Sequence, residues 1–294
     1  MFNQLTKIKI ILLLLLAIGF FVNKDFIFDS LYYDQRAPEE KHNSVILSKE
    51  NKSLIGSKRD FNSRIENQVK IAFLIYDLGL MKKPLDLALS LQPQVALGFS
   101  VYSDSLSSLT RQSLELGHET LVLLPSKPSN YMQNDPGPLA LFMNNSTIDN
   151  RNKFTTLVDS LVSNQVGLYL NPLSAALNSE EQTIKLLNFL EDHQEKIKFF
   201  LYFDSDSTTL FTKVLTASSC KDKVLTIDRI LDKEEVLLLE EDFYKLLQIA
   251  NSKGFAIGAI PATLFHIEAV KTFLQKQTEV IQLVTLGELI KNKE

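Results

Sequence analysis

Beyond the first 68 residues the chain alternates between short apolar runs and longer stretches of helical period. The apolar runs lie at 69–75, 94–101, 119–124, 166–170, 198–203, 223–227, 255–260 and 280–284. Their β-branched and aromatic content predicts strands. Between them, apolar positions recur every three to four residues over 83–91, 105–116, 150–164, 183–195, 234–253 and 262–276, which predicts helices. The clearest is 234–253, with Val236, Leu239, Phe243, Leu246, Leu247 and Ala250 on one face and Gly254 as its stop. A short helix over 286–292 closes the pattern. Near-continuous apolar strands alternating with helices predict a parallel sheet covered on both faces. Seven or eight such units can close into a barrel, and an open doubly wound sheet is the alternative. No Gly-x-Gly-x-x-Gly sequence opens a helix after the first strand, so nothing supports a nucleotide-binding version.

The N-terminal part has a different texture. Residues 10–22 are an unbroken apolar run preceded by Lys7 and Lys9. A spanning helix needs ~20 apolar residues, and this run approaches that if Leu5 and Ile8 join while the lysines snorkel. The lysines favour a cytoplasmic N-terminus and export of the chain beyond the run. Residues 1–28 are therefore expected to be a membrane anchor. A cleaved signal is the alternative, since Ala17 and Gly19 are small and suitably spaced. Residues 29–66, rich in Lys, Glu, Asn and Ser, read as a flexible tether, which leaves 67–294 as the folded domain.

Composition removes several function classes. The 294 residues are 45% hydrophobic, enough for a full core, and carry a formal net charge of −4. There is no basic surplus to hold nucleic acid. The single cysteine, Cys220, excludes an internal disulfide and a Cys-based zinc site. The four histidines, His42, His118, His193 and His266, show no metal-ligand spacing and read as surface or internally satisfied groups.

In parallel α/β folds sites form just beyond the C-terminal ends of the strands. The residues at those places include Tyr76, Asp77, Leu123 through Lys127, Asn171, Asp204, Asp206 and Asp228. Asp also caps helices and starts turns, and that is the better reading for Asp206 and Asp228. Asp77, followed by Leu78-Gly79, is the best site candidate.

The stretch from Gly117 to Pro138 joins an apolar strand to a loop stiffened by Pro125, Pro128, Pro136 and Pro138. Gly117-His118-Glu119, the strand ending Leu124-Pro125, then Tyr131 and Asn134-Asp135-Pro136-Gly137-Pro138, resembles the divergent polysaccharide deacetylase family. The resemblance covers about residues 69–289 and implies a distorted (β/α) barrel of about seven strands. It also implies metal-dependent deacetylase chemistry, in which a divalent metal polarises an acetamide carbonyl and activates water. In that superfamily one Asp is the base, and a second Asp with two His-type ligands holds the metal.

Against that pattern Tyr76 stands at the base position, while Asp77 keeps the metal-binding acid. Leu123 stands at a ligand position, and Lys127 stands where this branch has Glu. Asn171-Pro172-Leu173-Ser174 resembles an Asn-His/Tyr-Met-Gly run, and Asp204-Ser205-Asp206-Ser207 an Asp-Ser-Arg-Thr segment. The resemblance thus implies a kept cleft with degenerate chemistry. Asp77 is expected as the retained catalytic-type acid, and Tyr76, Lys127, Tyr131, Asn134, Asp135, Asn171 and Asp204 as substrate-binding residues. No metal ligand set and no cofactor is expected; a divalent metal such as zinc enters only if the family activity is retained. The implied partners are a cell-envelope glycan or envelope protein, and the membrane through the N-terminal helix. The implied location is the bacterial inner membrane, single-pass with the domain on the periplasmic side, or the periplasm after cleavage. A further expectation is that the Lys127 ammonium takes the lost cation's place beside Asp77, with a solvated loop lysine as the alternative.

Overall fold

The computed structural model describes residues 68–143, 147–159, 166–171, 174, 179–203, 213–215, 218–219 and 221–291. The expected anchor and tether lie outside the described residues, as do His42, Asp204, Asp206 and Cys220. Among the described residues no helix is long and apolar enough to cross a membrane. Residues Lys58–Glu294 form one compact unit.

The elements run β1 (Val69–Leu78), α1 (Lys82–Leu89), β2 (Ala96–Phe99), α2 (Leu106–Glu115), β3 (Thr120–Leu124), α3 (Thr147–Asp159), β4 (Gly167–Leu170), α4 (Glu180–Glu191), β5 (Phe200–Phe203), β6 (Val224–Ile227), β7 (Arg229–Ile230), α5 (Val236–Lys253), β8 (Phe255–Pro261), α6 (Leu264–Lys276), β9 (Ile281–Leu283) and α7 (Leu286–Lys291). Each predicted strand and helix is present. The dipeptide strand β7 is too short for any periodicity to reveal.

All named strand pairings are parallel, in the order β6-β5-β4-β3-β2-β1-β8-β7. Asp228 alone separates β6, which pairs with β5, from β7, which pairs with β8. The two pieces share one stave and nearly close the sheet into a barrel. β9 pairs with Val69–Ile71 of β1, while β2 pairs with Leu74–Leu78. β8 occupies β1 continuously from Lys70 to Tyr76, so β2 and β9 share the opposite edge.

The period-2 alternation of each strand divides the core in two. Ala72, Leu74, Leu121, Tyr169, Leu201 and Ile257 point into the barrel. Ile71, Phe73, Ile75, Val122, Leu168 and Ile260 point outward, under the helices. Helix α5 buries Leu239, Phe243, Leu246, Leu247 and Ala250 as its spacing requires, and Gly254, at φ 89°, ends it. Two positions depart from the amphipathic pattern. Val236 is 59% exposed, because the first turn of α5 stands at the barrel mouth. Asp242 lies on the buried face, where it receives the Arg229 guanidinium, with Nε at 3.0 Å.

Asp228 is a turn residue, as expected. Its carboxylate accepts the Ile257 N–H at 2.8 Å and pairs with Lys253 at 2.7 Å, pinning the β6–β7 break to β8.

At the opposite end of the barrel, α7 closes the interior with Leu286 and Leu289. Its first N–H groups are held by Glu119, which accepts from Leu286 at 2.6 Å and from Gly287 at 2.9 Å. His118 is buried, with Nδ1 2.9 Å from the Val95 carbonyl. The Gly117-His118-Glu119 sequence is therefore structural. It ends α2 with a positive-φ glycine, ties β3 to the segment before β2, and caps the last helix. His193 and His266 are likewise satisfied, at the Phe189 carbonyl (2.8 Å) and at Thr263 and the Lys233 carbonyl (2.7 and 3.2 Å).

Candidate functional site

The C-terminal ends of the strands form a mouth, and its centre is the end of β1. Between Ile75 and Leu78, β1 has two residues where β2 has only Gly98. This is a β-bulge, a device that re-aims side chains at sheet ends. Asp77 sits in the bulge at φ 63°, a left-handed conformation that Asp tolerates better than most residues.

A hydroxyl from across the barrel meets this acid. Tyr169 of β4, 1% exposed, donates its O–H to Asp77 Oδ1 at 2.9 Å and accepts the Asp77 N–H at 3.1 Å. A buried phenol needs such a partner. Its ring reaches Asp77 because β2 has no side chain at Gly98, where a Cβ would lie 2.9 Å from Tyr169 Cε1. Tyr76, the preceding residue, is half-buried and packs edge-on against Phe203, with ring centroids 5.8 Å apart.

Burial pushes the Asp77 carboxyl above the usual carboxylate range, against the lowering effect of the Tyr169 hydrogen bond. Burial likewise pushes the Tyr76 phenol up, and the charges of Asp77 and Asp232 push it further. Tyr169 is raised by burial and by Asp77. Both phenols therefore keep their protons at neutral pH, so neither is a base.

The sign of the Asp77 shift gives a testable result. A carboxyl with a raised folded-state pKa favours folding below its unfolded pKa of ~4, and that contribution is lost as pH rises through the folded value. Asp77→Asn keeps an acceptor for Tyr169 and tolerates positive φ. It is expected to be more stable than the parent at pH 7–8 in urea unfolding, with the difference closing toward pH 4. A difference that widens on acidification would refute this.

The donors at this centre do not fit a divalent metal. One oxygen of Asp77 is taken by Tyr169, Tyr76 is a protonated phenol, and Leu123 packs against the apolar barrel interior. Among the described residues no group of three His, Cys, Asp or Glu is placed to hold a metal ion.

The loop after β3 forms one side of the mouth. It holds its shape partly through a ladder fragment that its prolines conceal. Leu141 N–H donates to Pro125 O at 2.8 Å and Lys127 N–H to Leu141 O at 3.0 Å. Ser126 Oγ donates to Ser174 Oγ at 2.7 Å, joining the loop to the segment after β4. In the Asn134–Pro138 run, Asp135 Oδ1 accepts the Gly137 N–H at 2.9 Å. Gly137 is at φ 81° under Tyr102, whose hydroxyl a Cβ there would approach to 2.5 Å. That hydroxyl donates to Pro136 O at 2.7 Å. The run is thus a turn shaped to receive the β2 loop.

The structure brings Tyr76 and Asp77 together with Tyr169. It separately brings Lys127 to Tyr131, with Nζ 5.7 Å from the ring centroid. The expected Lys127–Asp77 ion pair is absent from the described residues, and the acid's partner is the Tyr169 phenol. Tyr131 is 41% exposed and packs edge-on against Phe142 at 5.3 Å. Asn134 and Asp135 are exposed, and Asp135 also shapes the turn. Asn171 follows β4 directly, and its carbonyl accepts the Ser174 N–H at 3.0 Å. Sequence reasoning missed Tyr169, Gly98 and Asp232. A tyrosine in an otherwise aliphatic strand was the available signal for the first.

A family model described as divergent polysaccharide deacetylase matches residues 73–290. Among solved structures, the chain is similar to the crystal structure of an uncharacterized protein from Agrobacterium tumefaciens C58. The identity is 24%, the alignment covers 76% of this chain and 89% of that one, and the TM-score is 0.67, a likeness of fold. Streptococcus suis SuiB bound to S-adenosylmethionine aligns at 12% identity over 83% of this chain and 61% of that one, with a TM-score of 0.27. Fructose-bisphosphate aldolase from Campylobacter jejuni aligns at 10% identity over 76% and 80%, with a TM-score of 0.29. A search of the curated proteins found no match.

Proposed function

Since the chain belongs to the divergent polysaccharide deacetylase family, we propose that it is a carbohydrate-directed envelope protein whose barrel mouth binds acetylated amino-sugar chains without metal-dependent hydrolysis. The observation that carries this reading is the Tyr169–Asp77 hydrogen bond beside a protonated Tyr76. The acid that the family resemblance assigns to a metal has here a neutral hydroxyl partner. What remains suits binding. Tyr131 offers an aromatic face for a sugar ring, with the Lys127 ammonium nearby. Asp77 and Asn171 supply polar atoms at the mouth. The apolar run at 10–22 behind Lys7 and Lys9 supports an anchor in the inner membrane with the domain on its periplasmic side.

The test uses the compact unit Lys58–Glu294. After dialysis it is expected to hold no stoichiometric zinc and to release no acetate from acetylated chitooligosaccharides. Calorimetry is expected to show binding of the same oligosaccharides, weakened about 10-fold in Tyr131→Ala by loss of the aromatic contact. Stoichiometric zinc that disappears in Asp77→Ala, with acetate release to match, would replace this reading by an active metalloenzyme.

A further inference from the structure

The mouth has an apolar rim on one side. Leu80, Met81, Leu237, Leu238, Leu264 and Phe265 are all at least 40% exposed. They follow the C-terminal ends of β1, β7 and β8, which are neighbours in the sheet. Large apolar side chains gathered at one place on a surface mark a binding surface rather than chance exposure.

A groove of about 450 Å³ leads away from this rim between α5 and α6. Both helices start at the mouth and run toward the other end of the barrel, so they are parallel. The groove lining begins at Val236 and Phe265 and ends at Leu247, Lys276 and Gln277. At 1.5 Å per residue it is ~16 Å long. Its floor is made of Phe243 and Phe273, stacked at 4.2 Å between ring centroids, each with Phe73 edge-on at 6.2 Å. The charged residues of the lining, Glu240, Glu268 and Lys276, are exposed.

This geometry selects an occupant. The stacked phenylalanines join the two helices across the groove floor, and the volume above them is that of a small-ligand site. A third helix, ~10–12 Å across with its side chains, could set only one row of them into it and would leave the rest outside. A linear aliphatic chain can lie in it whole. The length is close to one leaflet of a bilayer, half of a hydrocarbon core ~30 Å thick. We propose that the α5–α6 groove takes the acyl chain of an amphiphile whose sugar end lies at the barrel mouth. The ligand class is then a lipid-borne acetylated amino sugar; this rests on the reading of the mouth as a glycan site.

The experiment compares two ligands on the Lys58–Glu294 unit by calorimetry: an N-acetylglucosamine oligomer, and its decyl glycoside below the micelle concentration. The tailed sugar is expected to bind at least about 10-fold tighter, since burying only two methylenes supplies that factor. Thr272→Trp, at an exposed position in the groove lining, and Phe265→Ser, at the rim, are each expected to abolish the advantage of the tail. Neither is expected to alter affinity for the untailed sugar or the melting temperature. Equal affinities for tailed and untailed sugar overturn the groove and leave the mouth intact. Tight binding of the tailed sugar with none of the untailed one, and no effect of Tyr131→Ala on either, overturns the placement of the sugar. Sedimentation as a dimer that Phe265→Ser converts to monomer overturns the proposal in favour of a second copy on this face.

Discussion

Glu119→Ala is expected to lower the unfolding free energy of the domain by about 3 kcal/mol, since hydrogen bonds to a charged group are each worth ~1.5–3 kcal/mol. The carboxylate is 12% exposed and receives the first two N–H groups of α7, at 2.6 and 2.9 Å. Alanine removes both acceptors and leaves those donors facing a space too poorly hydrated to replace them. Lys198, 3.6 Å away and 42% exposed, can turn to water, so its loss adds little. Urea unfolding measures the total, and amide exchange at Leu286 and Gly287 reports whether α7 has come free. Glu119→Gln keeps one acceptor and should fall between the two. A change under about 0.5 kcal/mol in Glu119→Ala, the size of an ordinary surface substitution, would mean that α7 is held by Leu286 and Leu289 alone.

The second large effect is expected at the other end of the barrel. Gly98→Val should cost about 3 kcal/mol, because overpacking a filled interior costs ~1–3 kcal/mol and the Tyr169–Asp77 hydrogen bond is lost with it. A Cβ at this position meets Tyr169 at 2.9 Å, Leu74 at 3.1 Å and the Ile75 carbonyl at 3.3 Å. The tyrosine ring must move, and Asp77 then loses its hydroxyl partner. A double-mutant cycle separates this from a general strand effect. With Tyr169→Val in the background, Gly98→Val should cost much less, and the coupling should exceed ~1 kcal/mol. Additive costs would show that Gly98 and Tyr169 do not share one space.

The pattern of apolar positions was sufficient for a parallel sheet alternating with helices, because every stave except the β6–β7 junction is a run long enough to carry a period. Its closure into a barrel rested on the family resemblance, since an open doubly wound sheet fits the same pattern. The motif from Gly117 to Pro138 was legible as a family signature but not as a division of labour. Glu119 caps a helix 167 positions away, and Asp135 with Gly137 shapes a turn under Tyr102. Such roles depend on partners distant in sequence, which local spacing does not encode. The same holds for Asp77. Its place in the site could be read from its position after the first strand. Its partner could not, since Tyr169 arrives from β4 and only the empty space over Gly98 admits it. The Lys127 pairing failed for a related reason. Charge complementarity alone suggested it, whereas the loop sets the ammonium over Tyr131.

The position of β1 has a consequence for biosynthesis. One of its edges is filled by β8, with Lys70 paired to Phe255, about 185 positions later, and part of the other by β9. At ~5–20 residues per second, the ribosome needs roughly 10–40 s to supply those partners. Throughout that interval the longest of the described strands keeps an unpaired edge, the state most prone to pairing with another chain. Assembly of this barrel is therefore a late, C-terminus-dependent event, and a nascent chain of this design gains from a holding chaperone until its last strands emerge.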